Sequence, residues 1–210
     1  MVANSVYGFT GARKGYLPCP QIASSVTAFG RKMIEETQNL VETKYTKVNG
    51  YDHDAVVVYG DTDSVMVKFG YTDLAKVMEL GKEAAEYITG HFKKPINLEF
   101  EKAFSPFLLL GKKQYAGLHW TNTDAYDKMD IKGIAIVRRD RCVLIQEIMQ
   151  KCLDEILINR EVGEQGRAVS IVHRAIEDLR QGRTDLKKLT LTGGGVKIRT
   201  RSIHPTLRLQ

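Results

Sequence analysis

Two aspartates separated by one residue are the side chains whose spacing most clearly suggests chemistry. Asp61 and Asp63 lie in a Tyr-Gly-Asp-Thr-Asp-Ser segment that begins at Tyr59. Residues two apart along a strand face the same way, so both carboxylates can reach one point, where their mutual repulsion favours a bound cation. Hard oxygen ligands of this kind suit Mg²⁺ or Mn²⁺, which also bind substrate phosphates. The pair is therefore a candidate catalytic and metal site.

The elements that position this pair are predicted to be two strands of a β-hairpin. The runs 55–59 and 65–69 are rich in Val, Tyr and Phe, and residues 60–64 between them are turn formers. The first run is apolar throughout, which predicts a strand covered on both faces. An ordinary turn remains an alternative, because Asp, Thr and Ser often cap turns.

The rest of the chain alternates between helical and strand periodicity. Amphipathic helices are predicted from Pro20 to about Tyr45, from 74 to 92 with Asp73 as N-cap, and over 143–157 and 169–179. Short strands are predicted over 96–101, 107–110, 115–120 and 131–137. This order predicts an α+β fold that passes into a helical region near Arg138.

Composition excludes several classes of protein. The 210 residues are 43% hydrophobic, enough for a core, and their net charge of +6 fits a polyanionic partner without requiring one. No apolar run approaches the roughly 20 residues that cross a bilayer, and the N-terminal residues do not form a secretory signal. The three scattered cysteines indicate neither a disulfide framework nor a zinc site, which favours a reducing compartment.

Four motifs in order give the chain its family resemblance. They are Asn-Ser-Val-Tyr-Gly at 4–8, Tyr-Gly-Asp-Thr-Asp-Ser at 59–64, Lys-Lys-Gln-Tyr at 112–115, and Asp-x-Lys-Gly at 130–133 followed by Val-Arg-Arg-Asp at 137–140. Together they resemble the family B DNA polymerases over the stretch from Ala3 to roughly Leu189. Gln114 stands where the family usually has Arg, so its own contact with DNA is in doubt.

The resemblance implies an architecture and a reaction. The fold would be a polymerase palm with an antiparallel β-sheet and packed helices, followed by the start of an α-helical thumb. Residues 1–19 would end the fingers helix, 20–137 would form the palm, and 138–210 would begin the thumb, with 190–210 uncertain as a disordered or aberrant tail. The implied activity is DNA-directed DNA polymerase: template-dependent transfer of deoxynucleotides to a primer 3′-hydroxyl in DNA replication.

The resemblance also implies roles for individual residues. Asp63 would be a direct ligand of two Mg²⁺ ions, which Mn²⁺ can replace, and Asp61 a direct or water-mediated partner. The nucleotide-binding residues would be Asn4, Tyr7 and Gly8. The DNA-binding residues would be Lys112, Lys113, Tyr115, Arg138 and Arg139.

Partners and location follow from the same resemblance. The implied partners are primer-template DNA, deoxynucleoside triphosphates and, in the full-length protein, accessory subunits and a sliding clamp. The implied location is the nucleus, or a viral replication site if the source is a virus. No membrane association is implied. The family's other aspartate and its triphosphate-binding lysine would stand before Met1, so the chain as given is predicted to be inactive or nearly so. A metal-dependent nucleotide-sugar glycosyltransferase and a non-catalytic DNA-binding module that retains the palm scaffold remain alternatives.

Overall fold

A computed structural model describes residues 8–12, 14–61, 63–137, 141–159 and 165–191. The helices and strands in these ranges are α1 (Pro20–Lys44), β1 (Val56–Asp61), β2 (Ser64–Lys68), α2 (Leu74–His91), β3 (Ala103–Gly111), β4 (Gln114–Trp120), β5 (Lys128–Lys132), α3 (Val143–Leu157) and α4 (Gln165–Arg180). Strands β1 and β2 form one small sheet, and β3, β4 and β5 form another in that order. The predicted α+β class is confirmed. In the described ranges, no helix has both the length and the apolarity to cross a bilayer.

The chain divides into two compact units. One contains Met1–Pro106 and Gly117–Asp130, and the other contains Phe107–Ala116 and Ile131–Gln210. This division tests neither the predicted boundaries at 19/20 and 137/138 nor the assignment of palm and thumb, which stay predictions.

The core of the first unit forms where α1, α2 and the β1–β2 hairpin pack together. Tyr45, at the end of α1, is 1% exposed, and its ring lies edge-on to Phe69 with 5.4 Å between the centroids. The buried residues of this core are Val41, Tyr45, Ala55, Phe69, Leu80, Ala84 and Ile88. Helix α1 thus packs against the β1–β2 hairpin and supports it.

The prediction that β1 is covered on both faces is wrong for the described part of the chain. Val57 packs against the core, whereas Val56 and Val58 are 50% and 40% exposed. The register shifts between Val57 and Tyr59 where β1 pairs with β2. Among the described residues, helices cover only one face of this two-stranded sheet. The continuous apolar run in β1 therefore does not mean that the strand is buried on both faces.

Helix α2 begins as predicted, but the strand predicted over 96–101 is absent. The Asp73 carboxylate accepts a hydrogen bond from the Ala75 amide at 3.0 Å, which confirms the N-cap. Residues 96–102 lie in neither a helix nor a strand. Instead, the Thr89 hydroxyl accepts from the Leu98 amide at 2.9 Å and donates to the Leu98 carbonyl at 3.1 Å. A side chain of α2 therefore satisfies backbone groups that a neighbouring strand would otherwise bind.

Strand β5 ends earlier than the predicted strand 131–137. Gly133 follows the strand with φ of +64°, and a 3₁₀ turn occupies Ala135–Val137. A left-handed glycine breaks the extended path, so the apolar residues after it could not continue the sheet. The two predicted helices are present as α3 and α4, and the Cys152 side chain is buried in α3. Burial raises the pKa of the Cys152 thiol, as expected for a structural cysteine.

Candidate active site

Asp61 and Asp63 lie together at the tip of the β1–β2 hairpin, as predicted. Asp61 is the last residue of β1 and pairs with Ser64, the first residue of β2. Its carbonyl oxygen accepts hydrogen bonds from the Asp63 amide and, at 3.2 Å, from the Ser64 hydroxyl. These bonds close the tip tightly, so the two carboxylates stand on one short, braced stretch of backbone.

Gly60 brings this tip close to the supporting helix. It pairs with Val65 across the hairpin. A Cβ atom at Gly60 would lie 3.2 Å from the Ile34 Cγ2 atom of α1, which is closer than an ordinary van der Waals contact. The missing side chain thus lets α1 pack directly beneath the residue that precedes Asp61.

The hairpin offers two carboxylates for a cation. Asp63 is exposed and Asp61 is half-buried. The described residues contain no group of three His, Cys, Asp or Glu side chains arranged to hold a metal. The two carboxylates nevertheless suit Mg²⁺, which is commonly bound through one or two carboxylates together with water and substrate phosphates. The donor set fits this ion.

The predicted DNA-contacting lysines form the turn of the β3–β4 hairpin. Lys112 and Lys113 are the two exposed residues between these strands. Lys113 has φ of +58°, a left-handed conformation that costs most side chains about 1–2 kcal/mol. Glycine at 113 would adopt this conformation more easily, so the lysine there is not explained by turn preference. Tyr115 is half-buried against Phe107, with 5.6 Å between ring centroids.

The other predicted site residues are less informative. Asn4, Tyr7, Arg138 and Arg139 lie outside the described residues. Gly8 is described and exposed within the helical residues 8–11, and a Cβ atom there would meet nothing within 4 Å. Its predicted contact with a nucleotide stays a prediction.

A partly buried ion pair is a feature that sequence reasoning missed. Lys102 Nζ lies 3.2 Å from a carboxylate oxygen of Asp130, and their side chains are 20% and 11% exposed. Burial lowers the pKa of Lys102, but the hydrogen bond and charge of Asp130 outweigh it, so the pKa is raised overall. The Asp-x-Lys-Gly motif marked Asp130, but no local periodicity indicates that Lys102 is its partner.

Comparison with known proteins decides the family. Residues 1–199 match the sequence description of DNA polymerase family B. The chain belongs to DNA polymerase family B. It is 56% identical over 195 residues to the DNA polymerase delta catalytic subunit of Glycine max, covering 93% of this chain. It is 57% identical over 190 residues to the protein of the same name from Candida albicans, covering 90% of this chain.

These relatives confirm a finer prediction within family B. The wording of residues 8–12 and 95–102 predicts a likeness to the catalytic subunit of eukaryotic polymerase delta within the family. The proteins from Glycine max, Candida albicans and Drosophila melanogaster, at 55–57% identity, carry that name. The chain spans 18% of the length of the first two.

Proposed function

We propose that this chain forms part of the catalytic core of a DNA-directed DNA polymerase that extends a primer on a template in DNA replication. The supporting observation is the braced pair Asp61 and Asp63 at a hairpin tip inside a family B match that spans residues 1–199. No feature of the described residues favours a nucleotide-sugar transferase.

In this proposal the acidic hairpin binds the metal ions and orients them. Asp63, exposed at the turn, is the direct carboxylate ligand for Mg²⁺, and Asp61 holds the ion directly or through water. Bound there, the ions supply Lewis-acid activation of the primer hydroxyl and charge stabilisation of the leaving pyrophosphate. The hydrogen bonds to the Asp61 carbonyl fix the tip before substrate arrives, which limits the reorganisation that the reaction requires.

Other residues in the proposal hold the substrates. Lys112, Lys113 and Tyr115 contact the primer-template duplex near its growing end, as do Arg138 and Arg139, and these contacts follow backbone and groove shape more than base identity. Asn4, Tyr7 and Gly8 contact the incoming deoxynucleoside triphosphate. The proposed location is the nucleus, with accessory subunits and a sliding clamp as further partners of the whole enzyme.

A hybrid polymerase tests the proposal. The segment of this chain that matches the Candida albicans relative replaces its counterpart there, and primer extension is measured with Mg²⁺ and with Mn²⁺. We expect extension, and a loss of about a hundredfold or more in kcat for Asp63→Asn, because the metals supply several kcal/mol of charge stabilisation. Asp52→Asn, at an exposed aspartate before β1, is the matched control and is expected to leave kcat unchanged.

Two outcomes would contradict the proposal. One is a folded hybrid that binds DNA but does not extend primers. The other is an Asp63→Asn hybrid that extends them as fast as the parent does.

A further inference from the structure

Gly133 lies directly against the turn that carries the two lysines. It has φ of +64°, and a Cβ atom at this position would collide with the Lys113 carbonyl oxygen. The same Cβ would lie 3.1 Å from the Lys113 carbonyl carbon and 3.3 Å from Gln114 Cγ. The peptide that joins Lys113 to Gln114 therefore occupies the space that any side chain at 133 would need.

The strand register explains why these two residues meet. The Asp127 amide donates to the His119 carbonyl at 2.8 Å between β4 and β5. An antiparallel register with Asp127 opposite His119 places Gly133 opposite Lys113. Two left-handed residues, at +58° and +64°, thus face each other where β4 begins and β5 has just ended.

This close approach suggests how the strained lysine keeps its conformation. A left-handed non-glycine residue persists only where its surroundings hold it, and such residues are concentrated at functional sites. The surface that holds Lys113 on one side is the backbone at Gly133. Gly111, on the other side of the turn, makes no comparable contact, since a Cβ there would meet nothing within 4 Å.

We propose that Gly133 is a positioning residue that fixes the Lys112-Lys113 turn so that Lys113 meets the phosphate backbone of primer-template DNA. The inference rests on the proposed function for the DNA contact and on the structure for the contact between Gly133 and the Lys113 peptide. A Cβ atom at 133 displaces that peptide and redirects the Lys113 side chain, while leaving its charge in place.

The test measures binding of a labelled primer-template duplex to the 210-residue chain as a function of salt. A lysine that neutralises one phosphate contributes about 1 to the slope of log affinity against log salt. We expect Lys113→Gln to reduce the slope by about 1, and Gly133→Ala to reduce it similarly although it removes no charge. The control Gly111→Ala is expected to bind as the wild type does.

A double variant separates positioning from general damage. If Gly133 acts through Lys113, the chain with both Gly133→Ala and Lys113→Gln binds no more weakly than the chain with Lys113→Gln alone. Additive losses would overturn the proposal, as would a Gly133→Ala chain that keeps the wild-type slope.

A measurement on the unaltered chain covers the case in which Gly133→Ala fails to fold. We expect the backbone ¹⁵N order parameter of Lys113 to be about 0.85, as in rigid backbone, and a value under about 0.6 would overturn the proposal. An unchanged slope for Lys113→Gln would instead remove this lysine from the proposed DNA contacts. Because the proposal requires Lys113 to meet a phosphate, that result would also overturn it, whatever the value of the order parameter.

Discussion

At the scale of single residues, Gly60 and Asp61 have different roles at the acidic tip of the β1–β2 hairpin. The Asp61 carbonyl oxygen accepts the two hydrogen bonds that close the turn, and the Asp61 carboxylate belongs to the proposed cation site. Gly60 removes a side chain where α1 passes, and Ile34 fills the space. The position of the carboxylates therefore depends on a contact made by the residue that precedes Asp61.

Substitution of Gly60 by Ala is expected to destabilise the chain by about 1 kcal/mol. The new methyl group would press on Ile34 at 3.2 Å, and this overpacking outweighs the smaller gain from a stiffer unfolded chain. Urea unfolding measures the loss. Adding Ile34→Ala, which removes the Cγ2 atom, should recover part of it as a coupling of about 0.5 kcal/mol or more. Independent, additive losses would contradict the packing explanation.

Glu83 offers a second prediction at this scale, based on hydrogen bonds to a single oxygen. Its Oε1 atom accepts from Lys44 Nζ at 2.7 Å and from the Tyr45 and Tyr51 hydroxyls, each at 3.2 Å. The hydrogen bond from Lys44 lowers the pKa of Glu83 from its ordinary value of 4.5, against the opposing effect of burial. The same cluster raises the pKa of Tyr45, through burial first and then through Glu83.

A carboxyl whose pKa is lowered on folding stabilises the protein above its unfolded pKa, and this stabilisation is lost as pH falls through the folded pKa. The free energy of unfolding should therefore decrease below about pH 4.5. Because the Glu83 side chain is 44% exposed, we expect a contribution of only about 1 kcal/mol. Urea titrations at neutral and acidic pH should show that Glu83→Gln removes this part of the pH dependence.

The control is Glu79→Gln on the same helix. Glu79 pairs with Lys76 one turn away at the surface, and its side chain is 67% exposed. Glu79→Gln should change the free energy of unfolding by less than about 0.5 kcal/mol. Equal effects of the two substitutions would contradict a specific role for the hydrogen bonds to Glu83.

At the scale of elements, helix α2 contains two glycines in opposite surroundings. A Cβ atom at Gly81 would lie 2.5 Å and 2.6 Å from ring carbons of Phe100, whereas one at Gly90 would meet nothing within 4 Å. Gly81 thus forms a notch that receives Phe100 from the irregular segment 96–102. Together with the Thr89 hydrogen bonds to Leu98, this notch attaches the segment to the helix.

These two glycines provide a matched pair of substitutions. Gly81→Ala should destabilise the chain by about 1–3 kcal/mol, because the methyl group overpacks the Phe100 ring. Gly90→Ala should stabilise it by up to about 1 kcal/mol, because alanine favours helix and the space is open. Thermal unfolding measures both. A Gly81→Ala chain as stable as the Gly90→Ala chain would show that Phe100 does not occupy the notch.

The same elements show what local pattern can and cannot predict. Apolar periodicity located the four long helices of the described residues, and the turn residues at 60–64 located the acidic hairpin. The alternation over 96–101 predicted a strand, but these residues form an irregular segment that contacts Thr89 and Gly81. Those partners lie 9 and 19 positions before Leu98 and Phe100, so no local pattern reports them. The role of Gly133 was missed for the same reason.

At the scale of the whole molecule, the distribution of charge matters more than its total. The net charge is +6, and a basic chain binds DNA to some extent through counterion release alone. The proposed function requires more than this general attraction. It requires that the four cations at 112, 113, 138 and 139 contribute more than an equal number of cations elsewhere.

The salt dependence of DNA affinity distinguishes binding through net charge from binding through these four cations. If each of the four cations neutralises one phosphate, affinity for a primer-template duplex should fall about a hundredfold between about 50 and 200 mM salt. Changing all four to Gln should remove most of that dependence. The charge-matched control changes four exposed lysines instead, namely Lys47, Lys82, Lys93 and Lys94. We expect the control to retain the steep slope, because its net charge falls equally while the proposed contacts remain. Equal weakening in both variants would mean that net charge alone drives binding.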